Sequence, residues 1–112
     1  MIGISSYRDL KVWQEAMVVA EGSYVLTRRF PKDEIYGMTG QIRRAAASIA
    51  ANIAEGHGRE NSGAFVQFLR MSQGSLKELE THLMLASRVG ITTVEEVKAL
   101  LNRCDELGSC GL

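Results

Sequence analysis

The sequence predicts an all-α protein: an antiparallel up-down four-helix bundle, one domain over residues 1–112, whose subunits assemble into a homo-oligomer. Three observations predict it. Apolar residues recur at alternating steps of three and four in four successive segments. No segment alternates with period two over a strand length. The breaks between segments are short and carry proline or glycine, which places successive long helices antiparallel.

The first helix is expected from about Asp9 to Arg29, with Leu10, Trp13, Met17, Ala20, Tyr24 and Thr27 as its seam. Ser6 or Asp9 can cap its start. Phe30-Pro31 ends it, because a residue before proline is driven out of the helical region. The second helix is expected from Asp33 to Glu55, with seam Ile35, Met38, Ile42, Ala45, Ile49 and Asn52. Asp33 is its expected cap and Gly56-His57-Gly58 its stop. Arg44 to Ala51 carries small side chains nearly all round, as in a helix contacted from more than one side.

The third helix is expected from Ser62, its cap, to Val89, with Gly90 as its stop. Phe65, Phe68, Ser72, Leu76, Leu79, Leu83 and Ala86 form its seam. Gly74 interrupts it, at about 1 kcal/mol relative to alanine, and such a glycine marks close helix approach. The fourth opens on Thr93-Val94-Glu95-Glu96, a threonine followed three residues later by glutamate. Val94, Val97, Leu100 or Leu101, Cys104 and Leu107 continue its stripe, and Gly108 and Gly111 weaken its end.

Composition narrows the function classes. The 112 residues include 46% hydrophobic and 23% charged, ordinary for a globular chain. Thirteen basic and thirteen acidic residues cancel, so overall charge does not draw the chain to polyanions. The N-terminus lacks a basic stretch followed by an apolar run, and no run of about 18 apolar residues exists. A cytoplasmic protein without a membrane partner is expected. Cys104 and Cys110 would lie about 9 Å apart along one helix, a poor disulfide geometry that suits reduced thiols.

No residue set points to catalysis, a metal or a cofactor. Glu78 and His82 are four apart, not the three of di-iron bundles, and His57 is the one other histidine. No serine lies in a nucleophile turn. Helix two carries a polar stripe of Gln41, Arg44, Ser48, Asn52 and Glu55, met on helix three by Arg70, Ser75, Glu78 and Glu80. The expectation is a buried polar network through Ser48, Asn52, Glu55, Glu78 and Glu80, between helices two and three or between protomers. A ligand pocket is the alternative. Arg28, Arg29, Lys32, Arg43, Arg44 and Arg59 form a candidate nucleic-acid surface, which a homo-oligomer would repeat in every copy.

Tyr7-Arg8-Asp9-Leu10-Lys11-Val12-Trp13-Gln14, Phe30-Pro31-Lys32-Asp33-Glu34, the run Gln41 to Gly56, and Gly74-Ser75-Leu76-Lys77-Glu78-Leu79-Glu80-Thr81 follow in order. Together they resemble the 23S-rRNA intervening-sequence proteins, over nearly the whole chain. The resemblance implies a four-helix bundle that assembles as a ring-like homopentamer. A related branch, the accessory variability determinant of diversity-generating retroelements, is a basic pentamer that binds nucleic acid and a reverse transcriptase. By that resemblance RNA, DNA or a nucleic-acid enzyme such as a reverse transcriptase is an expected partner. Two departures stand out: Ala50 occupies a position commonly proline in the family, and this chain is neutral where the retroelement branch is basic. The family also runs somewhat beyond Leu112, so a short fourth helix is expected. The reading is a non-enzymatic oligomeric binding or scaffold module for RNA or a nucleoprotein. The alternative is a protein-interaction or structural oligomer that binds no nucleic acid.

Overall fold

The computed structural model describes residues 6–112. Met1–Ser5, part of the segment inspected for a leader, lie outside the described residues. Among the described residues there are four α-helices and no strand: α1 Lys11–Thr27, α2 Met38–His57, α3 Ser62–Arg88 and α4 Val94–Ser109. Short 3-10 turns at Tyr7–Asp9 and Lys32–Glu34 precede α1 and α2. Consecutive helices pack together and α1 also packs on α4, so each helix touches two others. The result is a rod with principal extents of 50 × 23 × 18 Å.

Several helix ends differ from the sequence expectation, each for a local reason. Ser6 caps the first 3-10 turn by accepting from the Arg8 amide, and α1 starts only at Lys11 without a side-chain cap. Pro31 opens the second 3-10 turn, which consumes Asp33 and delays α2 to Met38. Glu34, not Asp33, reaches the helix start, its carboxylate accepting from the Met38 amide at 3.0 Å. Asn61 rather than Ser62 caps α3, accepting from the Ala64 amide at 2.7 Å. Gly58 follows α2 with right-handed backbone, φ −74°, so no left-handed glycine stops that helix. Gly90 does take the left-handed conformation after α3, φ 84°, which glycine adopts without a Cβ clash. Thr93 caps α4 by accepting from the Glu96 amide at 3.1 Å. The fourth helix spans 16 residues, fewer than the other three.

The core lies along α2 and α3. Ile42, Ile49 and Ile53 of α2 interleave with Leu76, Leu79 and Leu83 of α3, and all are essentially buried. Each such side chain contributes about 1.5–3 kcal/mol through burial. Ser48 meets Ser75, and Ser72 donates to the Ile49 carbonyl at 2.9 Å. Residue numbers rise on α2 as they fall on α3, so these two helices run in opposite directions. At the far end Gly56 lets them close: a Cβ there would stand 2.6 Å from the Phe68 Cβ. The close approach expected at Gly74 is absent, since a Cβ there would meet nothing within 4 Å.

The stripe that α1 buries is not the predicted one. Ala16, Val19, Ser23 and Leu26 face the core. Of the predicted seam, Thr27 is buried, Leu10, Trp13 and Ala20 are half-buried, and Met17 and Tyr24 are 37% and 42% exposed. The true core stripe contains alanine and serine, so it reads as the weaker one. Ser23 satisfies its hydroxyl by donating to the Val19 carbonyl at 2.9 Å, which makes its burial inexpensive.

Candidate functional site

The displaced α1 stripe lines a broad concavity. Trp13, Met17, Ala20 and Tyr24 form one wall of an open trough of about 740 Å³, with Tyr7 at one end and Arg28 at the other. Its floor is the alanine flank of α2: Ala47, Ala50, Ala51 and Ala54. Tyr7 packs edge-on against Trp13, ring centroids 5.2 Å apart, which closes the N-terminal end. The small floor follows from the run Arg44 to Ala51, which gives α2 methyl groups on the flank turned away from α3. Large apolar side chains over a methyl floor make a surface that excludes water poorly by itself. On the other side of α1, Val18, Gly22 and Val25 face Ala99 and Leu100 of α4 across a smaller groove of about 290 Å³. Helix α1 therefore stands as a ridge between two different grooves, the second also lined by Arg29, Glu96 and Arg103.

The six predicted basic residues do not form one surface. Arg28, Lys32 and Arg43 share a groove of about 350 Å³ at the α1–α2 corner, with Thr27, Ile35 and Thr39. Arg43 is held in place there. Its Nε donates to the Thr27 hydroxyl at 2.8 Å, and its guanidinium lies 4.7 Å from the centre of the Tyr24 ring. The other three stand apart. Arg29 turns towards α4, 3.6 Å from Glu96. Arg44 is exposed on α2 beside Gly40. Arg59 lies beyond the C-terminus of α2, about 24 Å along the helix axis from Arg43, paired with Glu55 at 3.2 Å and set over Phe68. Spacing on two helices could not reveal this split, because the turn that joins them decides which ends meet.

The expected five-residue polar network resolves into separate pieces. Ser48 donates to Ser75 at 2.6 Å, and Asn52 donates to the Ser48 carbonyl at 2.8 Å, within the α2–α3 seam. Glu55 leaves that seam for Arg59. Glu80 points to the α4 side, where Lys77 pairs with it at 3.2 Å and it lies near Cys104. Glu78 is exposed, 3.8 Å from His82. Helix three has three flanks, and Glu78 and Glu80, two residues apart and so about 200° apart around the axis, fall on different ones.

Nothing among the described residues gathers three or more His, Cys, Asp or Glu as metal ligands would. No described helix is long and apolar enough to cross a membrane. Cys104 is fully buried, and burial, reinforced by Glu80 and Asp105, pushes its thiol up to about 12. It is therefore a packed apolar group at neutral pH. Cys110 is a half-buried free thiol.

Residues with no place in the sequence reading complete these sites. The alanines at 47, 51 and 54 were visible only as small residues. Thr27 and Thr39 of the corner groove carry no periodic signal. Tyr36, 94% exposed in the turn before α2, was legible only as an aromatic off the apolar stripe.

Comparison with known proteins places the chain. The sequence model of the 23S rRNA-intervening sequence proteins matches residues 8–110. A solved protein with unknown function from the S23 ribosomal protein family of Bacteroides thetaiotaomicron is similar in fold. It is 24% identical with a TM-score of 0.77, and the match covers 88% of this chain and 92% of that one. No curated protein matches the chain.

Proposed function

Because the chain belongs to the 23S rRNA-intervening sequence protein family, we propose that it is a non-enzymatic, self-assembling up-and-down bundle that serves as a binding scaffold for RNA or a nucleoprotein. The observation that carries this reading is the outward stripe of α1 over the alanine floor of α2. Trp13, Met17 and Tyr24 leave a trough that the subunit does not fill. A second copy removes that surface from water at about 25 cal/mol per Å². The two grooves beside α1 differ in size and lining, so the two sticky faces of one subunit are not alike. Unlike faces associate head to tail, and a head-to-tail contact that closes makes a ring. Five subunits is the number the family resemblance implies. Each copy would then present Arg28, Lys32 and Arg43 once around the ring, and repetition raises avidity without requiring net positive charge.

A scaffold that meets only protein is the second reading. The zero formal charge favours it, as does the pairing of Arg29 and Arg59 with acids.

Sedimentation equilibrium tests the assembly. Ala51 is exposed on the trough floor, so Ala51→Glu places a charge in the proposed interface without disturbing the core. The wild type is expected to sediment as an oligomer and Ala51→Glu as a folded monomer with unchanged helical circular dichroism. A wild type that stays monomeric at micromolar concentration defeats the reading. Pull-downs with and without nuclease separate the two scaffold readings, since a protein partner survives nuclease and an RNA-bridged one does not.

A further inference from the structure

The corner groove between α1 and α2 has features that a solvated basic surface lacks. Its three cations, Arg28, Lys32 and Arg43, form no ion pair among the described residues. The acids nearest in sequence do not neutralise them. Glu34 spends its carboxylate on the Met38 amide, and Asp33 is exposed without a cationic partner within ion-pair distance. Arg43 is half-buried and oriented before any ligand arrives. Thr27 takes its Nε–H and the Tyr24 ring supports its plane, which leaves the two terminal amino groups without a hydrogen bond among the described residues. A guanidinium fixed in this way loses little freedom on meeting an oxyanion, and its free edge matches two phosphate oxygens.

One residue along the chain from this groove stands an aromatic ring that pairs with no other ring among the described residues. Ile35 lines the groove and the next residue, Tyr36, is 94% exposed. A soluble chain gains nothing from such a ring in water, whereas a base gains by stacking on it. Cations in a concavity next to a bare aromatic face are the two elements of single-strand binding: charge for the backbone and a π-face for the base. A duplex does not use both, because its bases are already stacked on one another and cannot stack on an outside ring.

We propose that the α1–α2 corner groove holds a phosphodiester of a single-stranded polynucleotide between Arg28, Lys32 and Arg43, with a neighbouring base stacked on Tyr36. This deepens the RNA-scaffold reading and rests on it. One such site per subunit makes a ring that follows a strand from copy to copy.

The test is fluorescence anisotropy of a labelled oligouridylate and of a blunt RNA duplex of equal length, over a salt series, on the full chain. The oligouridylate is expected to bind the wild type more tightly than the duplex does. Arg28→Ala with Lys32→Ala removes two phosphate contacts, so the slope of log K against log salt should flatten by about 1.4, at ~0.7 per contact for single strands. Tyr36→Ala should weaken oligouridylate about tenfold, within the range for losing one stacked base, and leave the duplex and the salt slope unchanged. Arg28, Lys32 and Tyr36 are exposed, so these variants leave the core intact. If the wild type binds oligouridylate and all the variants bind it equally well, the groove is not the site, while the scaffold reading stands. If Tyr36→Ala weakens both RNAs alike, base stacking is overturned. If the intact oligomer binds neither RNA at any salt, the RNA reading fails and the groove proposal with it.

Discussion

The two flanks of α2 are built from similar small residues and end in opposite states. Towards α3, Ala45, Ser48, Ile49 and Gly56 meet Ser72, Ser75, Leu79 and Phe68 with the serine hydroxyls hydrogen-bonded and the side chains buried or half-buried. Towards α1, Ala47, Ala51 and Ala54 meet Trp13, Met17 and Tyr24 across open space. Small residues permit close helix approach, but they do not compel it. On the α3 side the partner brings serines and a phenylalanine that fit the available depth. On the α1 side the partner's core stripe has rotated onto Ala16, Val19, Ser23 and Leu26, leaving its larger apolar residues over the floor. One flank is packed within the subunit and the other stays open.

The largest expected difference is between truncations on the two flanks. Ile49→Ala empties a fully buried position and should destabilise the fold by about 2–5 kcal/mol. Met17→Ala removes a side chain that is 37% exposed and should cost the isolated subunit less than about 1 kcal/mol. In the oligomer proposed above the Met17 variant should lose more, and its loss relative to the wild type should shrink on dilution towards the isolated-subunit value, because binding of another subunit contributes to apparent stability by mass action. Urea unfolding at two protein concentrations measures both effects. A Met17 effect as large as that of Ile49, with no concentration dependence, would mean that the trough is already closed within one subunit.

A smaller effect separates two glycines. Gly56→Ala forces a methyl to within 2.6 Å of the Phe68 Cβ and 3.0 Å of the Phe65 ring. Overpacking of that kind costs about 1–3 kcal/mol, against which the helix-propensity gain of about 1 kcal/mol is the smaller term. Gly74→Ala meets nothing within 4 Å and keeps that gain of about 1 kcal/mol. Thermal unfolding should therefore move the two variants in opposite directions. Equal shifts would show that the α2–α3 seam has slack at its Gly56 end.

These glycines also show what the sequence could and could not disclose. Four helices were readable because a period near 3.6 and the punctuation at Phe30-Pro31, Gly58, Gly90 and Thr93 are local signals. The seams of α2 and α3 were readable because Ile42, Ile49, Leu76, Leu79 and Leu83 are large and regularly spaced. The α1 seam was not, because periodicity finds the strongest apolar stripe and is silent on whether it meets the chain's own core or another surface. Gly74 and Gly56 look alike as letters and differ only in what lies opposite. The basic residues failed as a single surface for the same kind of reason: the 3-10 turn at Lys32–Glu34 sets Arg28, Lys32 and Arg43 around one groove. The opposite end of the rod takes Arg59. Distances through space across a turn are not written in spacing along the chain.

The smallest effect tests whether the α3–α4 side is as tightly closed as the α2–α3 seam. Cys104 is fully buried, with its thiol held up to about 12 by burial first and then by Glu80 and Asp105, while Lys77 opposes them. Cys110, near the end of α4, is half-buried. At about pH 8 a maleimide should therefore label one thiol in the native chain and two in the unfolded chain, and Cys110→Ser should abolish native labelling. The same burial gives a pH dependence of definite sign. An unfolded thiol loses its proton at its ordinary pKa of about 8.5, whereas native Cys104 keeps its proton until pH nears about 12. Between those values the unfolded state binds fewer protons than the native state, so stability is intact below the window and falls as pH rises through it. The informative quantity is the difference from Cys104→Ala, which should lose less stability on going from about pH 8 to about pH 10.5. Native labelling of both cysteines at similar rates, or identical alkaline losses in the two proteins, would mean that α4 lifts from α3 readily. The contrast would then lie between α2–α3 and all the rest, leaving α1 and α4 together as the adaptable half of the bundle.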